Sequence, residues 1–124
     1  MITEDYVSFE TAKFLKAKGF DVYVSSFYDD EGRFSRREAD WNWNIGSRHS
    51  APTLQMAMKW LREVHHCVIC VTPLTFYCGE IVSKWGYCIW ADDNTEVDEE
   101  SSPRLESYEE ACEAAIKYCL ENLI

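Results

Sequence analysis

A chain of 124 residues, 47% hydrophobic and 27% charged, has the size and make-up of one globular domain that can bury a core without a metal or a disulfide. Its formal charge of −10 is uneven: residues 67–124 hold three Lys and Arg against twelve Asp and Glu, whereas residues 1–66 hold nine against ten. An acidic half of this kind repels phosphate backbones and anionic lipid, so neither nucleic acid nor a membrane is expected as a partner.

The first helix opens at Ser8, a capping residue, with Glu10 at its positive end and Phe9, Ala12 and Leu15 on one face. Lys16 and Lys18 suit its last turn, and Gly19 can take the positive φ that ends it. Residues 20–28 follow as a strand, with Phe20, Val22 and Val24 alternating against polar neighbours. Residues 29–32, Asp-Asp-Glu-Gly, form a turn. The chain then returns through a segment, residues 35–38, that is too polar for a core. Trp41, Trp43 and Ile45 alternate with Asn42 and Asn44, as in an edge strand with one wet face.

A second helix begins at Ser50 or Thr53, with Pro52 in its first turn. Leu54, Ala57, Met58, Leu61 and Val64 form its apolar stripe, opposite Lys59, Arg62 and Glu63, and His65 and His66 end it. Residues 67–71 read as an apolar strand stopped by Pro73, followed by short strands at 75–77, 81–82 and 87–90. Residues 92–102 are acidic and without periodicity, a solvated loop. Ser107 and Glu110 form a capping box for a last helix whose inner stripe is Cys112, Ile116, Cys119 and Leu123. The order α-β-β-α-β-β-β-α describes a single domain, residues 1–124, of α+β class: an antiparallel sheet of about four to five short strands with three helices on one side.

Six cysteines stand at 67, 70, 78, 88, 112 and 119. Cys67 and Cys70 bracket Val68-Ile69, and Cys112 and Cys119 lie in a helical stripe, so they read as small buried hydrophobes. The chain shows no basic segment leading into an apolar one at its start and no run of about eighteen apolar residues. A cytoplasmic protein with reduced thiols is expected.

Motifs for chemistry fail on spacing. Cys67 and Cys70 match the letters of a zinc pair, but residues three apart on a strand face opposite sides. Asp92, Asn94, Glu96, Asp98 and Glu100 alternate like a calcium loop, yet its sharp-turn glycine falls on Val97 and its terminal glutamate on Pro103. No nucleophile elbow, zinc-protease helix or glycine-rich phosphate loop occurs, and no cofactor or metal is expected. The helix, three-strand, helix order of residues 51–124 resembles the double-stranded-RNA-binding topology, but that fold reads phosphates through lysines this half lacks. The segment of greatest interest is residues 33–49, where Arg36, Arg37, Trp41, Trp43, Arg48 and His49 combine types enriched at interaction hot spots.

Three segments carry a family likeness: Ile2-Thr3-Glu4-Asp5-Tyr6-Val7-Ser8-Phe9-Glu10-Thr11-Ala12-Lys13, Ala51-Pro52-Thr53-Leu54-Gln55-Met56-Ala57-Met58-Lys59-Trp60-Leu61-Arg62-Glu63, and Ser107-Tyr108-Glu109-Glu110-Ala111 onward. They resemble a family of small uncharacterised proteins from gut Bacteroidetes and their phages and mobile elements. The resemblance implies a phage or mobile-element setting and no activity. The expectation is a non-enzymatic module that binds a protein partner through Arg36, Arg37, Trp41, Trp43, Arg48 and His49. The alternative is a small enzyme or ligand binder, with His49, His65 or a carboxylate in a pocket walled by Trp41, Trp43 and Tyr87.

Overall fold

The computed structural model describes residues 3–75, 81–91, 96–98 and 105–124. Helix α1 (Phe9–Ala17) starts where Ser8 Oγ accepts from Thr11 N at 3.2 Å. It ends as the sequence predicts. Gly19 takes φ +86°, Gly19 N donates to Lys16 O at 3.1 Å, and Phe20 N donates to Leu15 O at 3.0 Å. These paired reverse bonds need the left-handed glycine between them.

Strands β1 (Val24–Tyr28), β2 (Phe34–Trp41) and β3 (His49–Ser50) form an antiparallel sheet in the order β2-β1-β3. Two expectations are corrected here. The returning strand is the polar segment Phe34–Trp41, and the expected alternation past Trp41, through Trp43 and Ile45, is not a strand. The reason lies in the asparagines, which bond to backbone instead of facing water. Asn42 Oδ1 accepts from Asn44 N at 3.1 Å, Asn44 Oδ1 accepts from Ser50 N at 2.7 Å, and Asn44 Nδ2 donates to Phe20 O at 2.8 Å. Side chains that satisfy backbone groups in this way favour turns over ladders.

Helix α2 (Leu54–Val64) is capped by Thr53, whose Oγ1 accepts from Met56 N at 3.2 Å; Pro52 therefore precedes the cap instead of lying in the first turn. His66 follows its end in the left-handed region at φ 57°. Strands β4 (Val68–Thr75), β5 (Ile81–Trp90) and β6 (Glu96–Asp98) make a second antiparallel sheet, order β4-β5-β6. Pro73 does not stop β4, because β4 is an edge strand and needs no outward N–H there. β5 runs unbroken through Gly86 where two short strands were expected, and β6 lies inside the expected acidic loop. Phe76 and Tyr77 of the expected strand at 75–77 lie outside the described residues.

Helix α3 (Tyr108–Tyr118) begins at Ser107, whose Oγ accepts from Glu110 N at 3.1 Å, and continues as a π-helical turn, Cys119–Leu123. Glu110 Oε2 accepts from Glu106 N at 3.0 Å, one residue before the position a capping box uses. The class is α+β, as expected, but the strands form two small sheets instead of one. One buried cluster joins them: Leu15 of α1, Val24 of β1, Ala57 and Leu61 of α2, Ile89 of β5, and Cys112, Ile116 and Leu120 near the C-terminus. Cys67, Cys112 and Cys119 are buried as expected, whereas Cys70 is only half-buried. Among the described residues, no helix is long and apolar enough to cross a membrane.

Candidate functional site

The residues singled out between 33 and 49 divide into a fixed base and an exposed rim. Phe27 of β1 is buried, and the Trp43 ring lies on it at 4.7 Å and 31°. Trp43 Nε1 donates to Val24 O at 2.7 Å, and Trp43 N donates to Ser50 Oγ at 3.0 Å. The Arg48 guanidinium carbon sits 4.9 Å from the Phe27 ring centre and 5.7 Å from that of Trp43, and Arg37 lies 5.2 Å from Phe27. Cations stacked on ring faces are drawn by the negative face of the π system. The loop bearing Arg48 is held by Lys16 of α1, whose Nζ donates to Gly46 O at 2.5 Å and Arg48 O at 2.9 Å.

Trp41 stands differently. It ends β2, meets Tyr23 at 5.6 Å and is 50% exposed, between Tyr23 at 59% and Ile45 at 61%. The pairing Val24↔Trp41 and Ser26↔Arg36 leaves residues 37–40 as a bulge of β2, and Arg37, two residues beyond Ser35, the partner of Phe27, falls on the Phe27 side. Trp41, Trp43, Ile45 and Arg48 with the loop between them line a shallow cavity of about 310 Å³.

Arg36 and His49 lie elsewhere. Arg36 sits 6.0 Å from the Tyr6 ring, beside Phe34. His49 turns toward α1, where its ring meets Phe9 at 5.6 Å and Nε2 is 3.2 Å from Asp30 Oδ1; its buried Nδ1 has no partner among the described residues. His65 packs edge-on against Trp60 at 4.6 Å. The expected pocket walled by Trp41, Trp43 and Tyr87 does not form, because Tyr87 is on β5 and lines a different groove.

That groove was not foreseen. It is open, about 980 Å³, with Tyr6, Leu54, Tyr87, Leu105 and Tyr118 among its walls. Glu4, Asp5, Glu109, Glu110, Glu113 and Glu121 surround these, with Lys117. Glu109, Glu113, Lys117 and Glu121 recur every four residues along α3 and the turn that follows it, a spacing that does not show that residues 4–8 lie beside them. Glu113 is turned inward, where Oε1 accepts from Ser8 N at 3.1 Å, from Thr11 Oγ1 at 2.5 Å, and from Ser8 Oγ. Nearby, Tyr28 donates its hydroxyl to Val7 O at 2.6 Å, and burial, then the charge of Glu113, raises its pKa. Lys117 pairs with Glu10 at 3.2 Å, while Glu4, Asp5, Glu109 and Glu121 make no ion pair among the described residues.

Among the described residues, no group of three or more His, Cys, Asp or Glu is placed to hold a metal ion. Of the acidic alternation, Glu96 and Asp98 fall in β6, and positions 92, 94 and 100 lie outside the described residues. No family model, no curated protein and no solved structure matches the chain.

Proposed function

We propose that this protein is a non-enzymatic interaction module that binds a protein partner through the Tyr23, Trp41, Ile45 and Arg48 surface. One observation carries the reading: Trp41 is half-exposed between two other exposed apolar side chains, beside an arginine already ordered on an aromatic base. An isolated surface apolar residue needs no explanation, but a contiguous aromatic patch with a pre-ordered arginine does. Ordering Arg48 in advance lowers the entropy lost on docking. The fitting partner presents an apolar anchor to Trp41 and carboxylates to Arg37 and Arg48, since the guanidinium fork matches a carboxylate. The family likeness of the three helices extends the proposal to an accessory role in a phage or mobile element, within a reducing cytoplasm.

A small-ligand reading moves from the tryptophans to the acidic groove, whose volume of about 980 Å³ lies at the upper end of the usual range for ligand sites. Its openness favours a segment of another chain over an enclosed molecule. The test is capture from a lysate of the source organism by immobilised wild type, Arg37→Glu with Arg48→Glu, and Glu109→Lys with Glu121→Lys. The patch reading expects a protein retained by wild type and by the groove variant but lost by the arginine variant. Retention of the same protein by the arginine variant contradicts it.

A further inference from the structure

β4 and β5 place Cys70 and Cys88 directly opposite one another in an antiparallel ladder, and neither is in a disulfide. Directly opposed residues on antiparallel strands send both side chains to the same face, with Cα atoms about 4.5 to 5.5 Å apart. A disulfide spans about 4.4 to 6.8 Å between Cα atoms, a range that includes this separation, and closing it draws the Cβ atoms in to about 3.5 to 4.5 Å. The face they share is the outer one. The row on one side is Val68 opposite Trp90, 37% and 42% exposed, and the row on the other is exposed Thr72 opposite Gly86, which has no side chain to cover the sulfurs. The alternate rows, Ile69 with Ile89 and Val71 with Tyr87, pack toward the core. Both cysteines are half-buried, within reach of a small reagent, while Cys67, Cys112 and Cys119 are shut inside.

From this placement we infer that Cys70 and Cys88 form a redox modification site, a cross-strand dithiol that low-molecular-weight disulfides such as oxidised glutathione convert reversibly to a bond between β4 and β5. One cysteine, as its thiolate, attacks a sulfur of the small disulfide and expels the other half as a thiolate, leaving a mixed disulfide. The second cysteine, also as thiolate, attacks the protein-side sulfur of that bond and expels the remaining half. Two protein thiols are oxidised, one small disulfide is reduced to two thiols, and the two protons given up by the cysteines balance the expelled thiolates. The bond pins the edge strand β4 to β5 and fixes the outer face carrying Val68 and Trp90. Buried Cys119, hydrogen-bonded to Cys67, is the competing pair; its thiol is held well above the ordinary range, first by burial and then by Cys67, which keeps it an unreactive thiol.

The test equilibrates the native protein across reduced-to-oxidised glutathione mixtures, ending in oxidised glutathione alone. After acid quenching, the remaining thiols are alkylated under denaturing conditions and peptides are mapped by mass spectrometry. The expected product is a peptide pair linked Cys70 to Cys88, in which both thiols are lost together across the titration and recovered with dithiothreitol, while Cys67, Cys112 and Cys119 are alkylated throughout. Cys88→Ser then leaves Cys70 at the glutathione mixed disulfide. The wild-type map decides the matter even if that variant folds poorly. Thiols persisting at 70 and 88 in oxidised glutathione alone, mixed disulfides that never resolve, or links running through Cys67, Cys78 or Cys119 overturn the inference.

Discussion

Leu61 has no exposed surface and sits at the centre of the α2 stripe, one residue from the exposed Arg62. Leu61→Ala removes buried methyl groups and leaves a cavity, so a loss of about 2–5 kcal/mol is expected, against about 0.5 kcal/mol or less for Arg62→Ala. Urea titration of the two variants checks the difference. His66 invites the opposite change. A non-glycine residue in the left-handed region costs about 1–2 kcal/mol, and glycine's greater freedom in the unfolded chain costs about 0.5–1 kcal/mol. His66→Gly should therefore raise stability by about 0.5–1 kcal/mol, read as a higher urea midpoint at unchanged slope. Side chains whose role is local were legible: the Leu61 stripe and Gly19 both follow from periodicity and caps. Asn42 and Asn44 were not, because their alternation with apolar neighbours suits a strand, and only the positions of Phe20 and Ser50 show what they bond.

At the scale of elements, the helices were legible because each carries its own cap and stripe. The strands were less so. A ladder is satisfied by a second segment and not by the strand's own residues, and β6 and the polar β2 owe their pairing to the neighbouring strands β5 and β1. The same dependence shows where α3 meets α1. Glu113 takes three hydrogen bonds from Ser8 and Thr11, 102 to 105 residues away, and so holds the start of α1 against α3. Hydrogen bonds to a charged acceptor contribute about 1.5–3 kcal/mol; only the Thr11 bond is part-buried and those from Ser8 are exposed, so Glu113→Ala should fall toward the lower part of that range. Amide exchange should quicken first in the opening turn of α1, while α2 keeps its protection. A uniform rise in exchange across all three helices would mean that this clamp is not local.

For the whole molecule, the aromatic and arginine patch was half legible: its residue types stand out in the sequence, but exposure separates Trp41 from Trp43 only in three dimensions. The buried acids have a pH signature. Burial raises the Cys119, Cys112 and Tyr28 pKa values above the ordinary 9.0 for thiols and 10.0 for tyrosine. The folded state thus keeps protons that the unfolded chain releases. Their stabilisation is present below about pH 9 and is lost progressively as pH rises above it. Urea midpoints should accordingly fall between neutral pH and about pH 10. The central claim, that Trp41 faces a partner while Trp43 supports the fold, is tested most directly by comparing Trp41→Ala and Trp43→Ala in urea unfolding and in partner binding. Trp43→Ala loses the Phe27 stack and the bond to Val24 O, and should cost about 2–3 kcal/mol of stability. Trp41→Ala should stay within about 1 kcal/mol in unfolding yet weaken partner binding by about 2 kcal/mol, roughly thirtyfold. A Trp41→Ala protein that unfolds as readily as Trp43→Ala, or that binds its partner as tightly as wild type, contradicts the account.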